Sequence, residues 1–271
     1  MGTKVNVIGK NTFMLTDRFI RVNQFLLVGE ESALLIDTGY GGKGFASALK
    51  KLAPPRLFVA NSHLHPDHSN GNSLFERIYV GEADMPEKGM PSNALALAVA
   101  EHYEKYSHVP KALIKKILSY GLITPGKEKY APVSARFSLG GRTIETLACP
   151  GHTPGSTLFA DRESGDLFVG DAVNGAFWAF TDPSLTLSGY AEVLKGLLPR
   201  LDGCKRLWIS HSVKPLDIGY IEAFIETLLD VKPEEGKPVG IEGTGEKVCI
   251  FKRYTRTFGD IGIWAFRSQV R

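Results

Sequence analysis

The sequence is poor in cysteine, in net charge and in long apolar runs, and each shortage removes a class of protein. Three cysteines in 271 residues, Cys149, Cys204 and Cys249, are odd in number, far apart and without a C-x-x-C spacing. That excludes a disulfide scaffold and a thiolate zinc finger, and it fits a reducing, cytoplasmic setting. A formal net charge of +3 is too small to suggest nucleic acid or an anionic membrane surface as partner. No apolar stretch approaches the ~18 residues needed to cross a bilayer. The segment Met1-Gly2-Thr3-Lys4-Val5-Asn6 carries neither a signal core nor a myristoylation pattern. What remains is an ordinary globular composition, 43% hydrophobic and 23% charged, sufficient for a sizeable core.

The chain opens with β-type segments, Asn6–Leu15, Phe19–Val28 and Ser32–Ile36, joined as hairpins. A helix is expected near Lys43–Leu52, stopped by Pro54-Pro55. Two more helices are expected within a helical insertion at about 92–121, and another at about Asp217–Leu229. Strands from Val248 to Phe266 finish a single domain spanning 1–271.

Four short apolar segments share one property. Arg56–Ala60 runs into His63, Thr143–Ala148 into His152, Asp166–Val169 into Asp171, and Arg206–Ile209 into His211. Each delivers a metal-type residue just beyond the end of a strand, where scaffolds of strands and helices usually place their chemistry. The densest signal is His63-Leu64-His65-Pro66-Asp67-His68, which reads as a loop. Neutral imidazole and carboxylate are the ligands of borderline metals such as zinc. Five of the seven histidines sit at these strand ends; His102 and His108 lie in the helical insertion and read as solvated. Cys149, near His152, reads as a small buried residue.

In order, the motifs His-x-His-x-Asp-His, Gly-His-Thr-Pro-Gly, Gly-Asp and a late strand-end His resemble the metallo-β-lactamase superfamily. The resemblance implies an α+β fold: an αββα sandwich of two mixed β-sheets with outer helices. It also implies two divalent ions, zinc first, with iron or manganese as alternatives. One ion would sit on His63, His65 and His152, the other on Asp67, His68 and His211, with Asp171 shared. Asp37, in the early Asp-Thr-Gly segment, would orient the histidine loop through hydrogen bonds. Asp67 would also orient the attacking water and carry its proton.

The implied activity is hydrolysis of an ester, thioester, lactone or related bond in a small molecule, with a ligand set like that of glyoxalase II and the lactonases. The alternatives are a mononuclear iron oxygenase or oxidoreductase on the same fold, and a phosphodiesterase or nuclease. Asp171 stands where class B1 β-lactamases use Cys, which argues against an antibiotic-resistance role. Asn174, Phe177 and Trp178 are the residues expected to line the substrate pocket. Homo-oligomerisation is left open.

Overall fold

The computed structural model describes residues 3–17, 21–85, 129–181, 185–243 and 246–270. The helical insertion expected at about 92–121 lies outside the described residues. The chain divides into two compact units. The first holds Met1–Thr146 and Ser210–Val213; the second holds Leu147–Ile209 and Lys214–Arg271.

In the first unit, the described residues build a seven-stranded mixed sheet whose neighbours follow chain order. The strands are β1 (Thr3–Gly9), β2 (Thr12–Asp17), β3 (Asn23–Val28), β4 (Ala33–Ile36), β5 (Leu57–Ala60), β6 (Arg77–Val80) and β7 (Lys129–Pro132). The first four pair antiparallel; β4 to β7 pair parallel. The expected first strand, Asn6–Leu15, is in fact two. Asn11 adopts a φ of 52°, a left-handed value that asparagine tolerates, and the chain reverses there. Helix α1 (Lys43–Leu52) forms where expected and buries Phe45 and Leu49. They join Leu15, Leu26, Leu35, Val59, Ile78 and Val80 in one core. The hairpin of β8 (Arg136–Ser138) and β9 (Thr143–Ala148) follows.

The second unit contains a mixed sheet and an appended one. The strands β10 (Thr157–Asp161), β11 (Asp166–Phe168), β13 (Arg206–Trp208) and β14 (Leu216–Asp217) lie in the order β14-β13-β11-β10. A second sheet has the order β12-β17-β16-β15, from β12 (Ala176–Trp178), β15 (Lys237–Gly243), β16 (Glu246–Thr255) and β17 (Gly259–Ala265). Helix α3 (Leu187–Leu197) starts at Thr186, whose hydroxyl accepts the Gly189 N–H. Helix α4 (Tyr220–Asp230) begins three residues later than expected, because Leu216 and Asp217 pair with β13 and Gly219 caps the helix. Phe177, Tyr190, Leu194, Phe224, Phe251 and Ile263 belong to the core of this unit. Mixed β-sheets with flanking helices match the α+β class expected from the sequence. No helix among the described residues is long and apolar enough to cross a membrane.

All three cysteines are free and buried. Burial pushes the Cys149 thiol up to about 12; the Tyr190 hydroxyl, 3.6 Å from its sulfur, pulls weakly the other way. Burial likewise pushes Tyr220 up to about 12. In the unfolded chain these groups ionise near their ordinary values, about 8.5 for Cys and 10 for Tyr. Each neutral group's contribution is therefore complete below its unfolded value and is lost as pH rises towards its folded one. Tm should fall steadily between roughly pH 9 and 11, and alkylation at about pH 8 should spare Cys149 until the protein unfolds. Labelling of native Cys149 as fast as an exposed thiol would contradict this account.

Candidate metal centre

All four strand-end residues lie where the sequence places them. His63 follows β5, His152 follows β9, Asp171 follows β11 and His211 follows β13, each by three or four residues. The first unit carries five of the seven expected ligands. Pro66–Ser69 forms a single helical turn, α2, so the segment expected to be a loop ends in helix; Pro66 fits its first position, where no N–H partner is needed. This turn packs the imidazoles tightly. The His63 ring lies 4.5 Å from that of His65 and 4.1 Å from that of His68, and the His68 ring lies 5.6 Å from that of His211.

Within this cluster, Asp67, His68 and His211 form a compact donor group. Their ligand atoms lie within 4.8 Å of one another. The Asp67 carboxylate oxygen Oδ2 is 3.6 Å from His68 Nε2 and 3.3 Å from His211 Nε2. Bonds of about 2.0–2.1 Å in a tetrahedral zinc site place neighbouring ligand atoms about 3.3–3.4 Å apart. The spacing and the donor chemistry therefore fit a divalent ion.

Hydrogen bonds determine which ring nitrogens can serve. Asp37 is fully buried at the end of β4, with a φ of 62°. Its Oδ1 accepts the Ser62 N–H at 2.7 Å; its Oδ2 accepts the Ser62 hydroxyl at 2.8 Å and lies 2.8 Å from His68 Nδ1. An ionised carboxylate only accepts, so His68 carries its proton on Nδ1 and presents Nε2 as a lone pair. The same logic passes through Ser62. Its single proton goes to Asp37, so the 3.1 Å contact between Ser62 Oγ and His63 Nδ1 is a bond donated by His63. One carboxylate thereby sets two tautomers. Ser62 was not singled out from the sequence, although its place beside His63 is the kind of position such a partner occupies.

The second unit carries His152 and Asp171. Both are buried. His152 Nδ1 lies 3.1 Å from the Trp178 carbonyl, which can only accept, so Nε2 is again the basic nitrogen. Thr181 Oγ1 donates to the His152 carbonyl at 3.0 Å. Of the three expected pocket residues, Phe177 is fully buried, stacked on Tyr190 at 5.1 Å and edge-on to Phe224. Asn174 Oδ1 accepts the Ala176 N–H at 2.7 Å, and its Nδ2 donates to the Asp171 carbonyl at 3.4 Å, so both ends of the amide serve its own loop. Trp178 is half-buried on β12.

Comparison with known proteins bears on the family and the fold. The family model for the metallo-beta-lactamase superfamily matches residues 17–235. The chain is 27% identical to an acyl-coenzyme A thioesterase of Gallus gallus, MBLAC2, over 72% of this chain and 74% of that one. It is 23% identical to a probable metallo-hydrolase of Streptococcus pyogenes, over 66% and 72% of the two chains. A metallo-beta-lactamase family protein from Thermus thermophilus has a TM-score of 0.57 at 20% identity, covering 82% of this chain and 79% of that one. A superfamily protein from Sulfolobus tokodaii gives 0.55 at 18% identity, covering 90% and 92%. The chain belongs to the metallo-β-lactamase superfamily and is a hydrolase of that fold.

Proposed function

We propose that this protein is a two-metal thioesterase acting on acyl thioesters of a coenzyme A type. His63, His65 and His152 would hold one ion; Asp67, His68 and His211 would hold the other, with Asp171 shared. Zinc is the first candidate for both, given their nitrogen and oxygen donors. The observation that carries the reading is the Asp67–His68–His211 group, with donor spacings of 3.3 and 3.6 Å and a His68 tautomer set by Asp37. The substrate class rests on the relative named an acyl-coenzyme A thioesterase, matched over 74% of its length.

Bound there, a pair of divalent ions would supply a water of lowered pKa and polarise the acyl carbonyl. The protein's own groups do the rest. Asp67 is 24% exposed, so its carboxylate is open enough to orient that water and carry its proton. A departing thiolate has a conjugate acid of pKa about 8.5, so it leaves with little help from an acid. One carboxylate suffices, and no serine or cysteine nucleophile is required. Trp178, half-buried on β12 with its backbone carbonyl bonded to His152, is the candidate acyl contact.

The test is release of free thiol from acyl-coenzyme A, compared with lactone, phosphodiester and β-lactam turnover on protein of measured metal content. Acyl-coenzyme A should be the preferred substrate. Losing an outer partner of a ligand typically costs 10–100-fold, so His152→Ala, which removes a ligand itself, should cost at least about 100-fold and lower the metal stoichiometry. Full thioester turnover with unchanged metal in that variant would sink the assignment.

A further inference from the structure

His211 sits on a stretch of chain that has left one strand, β13, and not yet entered the next, β14. At 36% exposure its side chain is the most open of the proposed ligands with a recorded value, yet its Nε2 lies 3.3 Å from Asp67 Oδ2. Something other than burial must hold it there. The residues on either side of it supply the answer. The backbone N–H of Asn23 donates to the Ser210 carbonyl at 2.8 Å, and Asn23 Nδ2 donates to the Ser212 carbonyl at 2.7 Å. A single residue thus grips the carbonyls of the residues on either side of His211, Ser210 and Ser212.

The grip is itself braced. A carbonyl only accepts, so the amide atom facing Ser212 must be nitrogen, and the opposite atom must be Oδ1. That oxygen accepts the Thr16 hydroxyl at 2.7 Å. Thr16 and Asn23 are register partners on β2 and β3, and Asn23 is fully buried. The amide therefore cannot turn over without breaking two hydrogen bonds, and it is fixed to the central antiparallel strands of the sheet.

We infer that Asn23, braced by Thr16, is the positioning residue for His211 and so sets the affinity of the second metal site. The inference rests on the two-ion reading above. Asn23 touches neither ion nor substrate; it acts by holding the backbone from which His211 projects. Aspartate at this position keeps the shape but cannot donate to Ser212, and its charge would face that carbonyl. Partners of this kind usually change affinity 10–100-fold.

The experiment titrates zinc into the metal-free 271-residue chain against a chromophoric chelator, for wild type, Asn23→Asp, Thr16→Val and Thr16→Ser. Amide hydrogen exchange at residues 210–213 is measured on the same metal-free proteins. The wild type should bind two ions. Asn23→Asp should keep the first and bind the second at least about tenfold more weakly, with faster exchange at 210–213. Thr16→Val should shift both readouts the same way, and Thr16→Ser, which restores the hydroxyl, should restore both. A folded Asn23→Asp with wild-type second-ion affinity and exchange would overturn the inference. Should that variant fail to fold, the near-isosteric Thr16→Val decides on the same criteria. Should the wild type bind fewer than two ions, the two-ion reading fails, and exchange in the metal-free proteins still decides whether Asn23 holds this segment.

Discussion

Replacing Asp37 by asparagine is expected to strip metal from the Asp67–His68–His211 group while leaving the fold in place. Asparagine is close to aspartate in shape and tolerates the left-handed backbone of this position, with its φ of 62°. Its chemistry is different, because one of its two ends is a donor. With nitrogen at the Oδ2 position, it faces the Ser62 hydroxyl and His68 Nδ1. His68 must then accept at Nδ1, its proton moves to Nε2, and the nitrogen aimed at Asp67 no longer has a lone pair. With nitrogen at the Oδ1 position, it confronts the Ser62 N–H, which also donates. Either orientation breaks the arrangement. Second-ion affinity should fall about 100-fold, at the upper end of what outer partners contribute. Zinc titration and the nitrogen chemical shifts of the imidazole rings would read both effects, and unchanged shifts would refute the tautomer argument. Asp37→Ala should behave differently. It abandons three buried donors, each costing about 1–3 kcal/mol, so a stability loss of about 3 kcal/mol or more is expected on top of the metal defect.

The second large effect is expected at Gly151, next to His152. A Cβ here would lie 2.0 Å from Cε2 of Tyr190 and 2.4 Å from Cδ2. The ring cannot retreat. It is fully buried, stacked on Phe177, and its hydroxyl donates to the Ala172 carbonyl at 2.5 Å. Gly151→Ala must therefore move the backbone that carries His152. Overpacking of this kind costs about 3 kcal/mol, which in a chain of this size lowers Tm by roughly 6–12 °C. Metal content should fall with it. Gly196 in α3 is the control, since a Cβ there meets nothing within 4 Å, and Gly196→Ala should leave Tm the same or slightly higher. Equal behaviour of the two variants would show that Tyr190 is not the constraint.

The histidine loop was legible in the sequence because its information is local. Six consecutive residues declare their chemistry, and apolar runs of fixed position bring the other strand-end residues to equivalent places. Asp37 was legible through the family resemblance of its Asp-Thr-Gly segment. Asn23 was not. It sits 189 residues from Ser212, its hydrogen bonds go to backbone carbonyls, and an asparagine at a strand start looks like any turn residue. Some elements escaped for local reasons. The reversal at Asn11 lacks the Asn-Gly pair that usually signals a hairpin. Strand β15 contains Pro238 and two glycines, residues that argue against a strand; it forms at the edge of its sheet, where a missing N–H costs least. Nearness to Asp171 points to Phe177 as a pocket residue, but the alternation of β12 packs it into the core of its unit, a partner that its sequence neighbours do not reveal.

The grouping of Ser210–Val213 with the N-terminal unit also bears on the order in which the molecule assembles. Strands β1 to β6 and their helix can form from neighbours in the chain. The donor group cannot, because His211 reaches it only after about 140 residues have followed His68. Closing so long a loop is slow, and contacts of high sequence separation form late. On a ribosome, the nascent chain would display Asp67 and His68 well before their third partner had been synthesised. If the proposed ions bind there, the early histidine cluster would meet the cell's metal pool as an open chelator, and its donor set would be complete only once His211 had joined it.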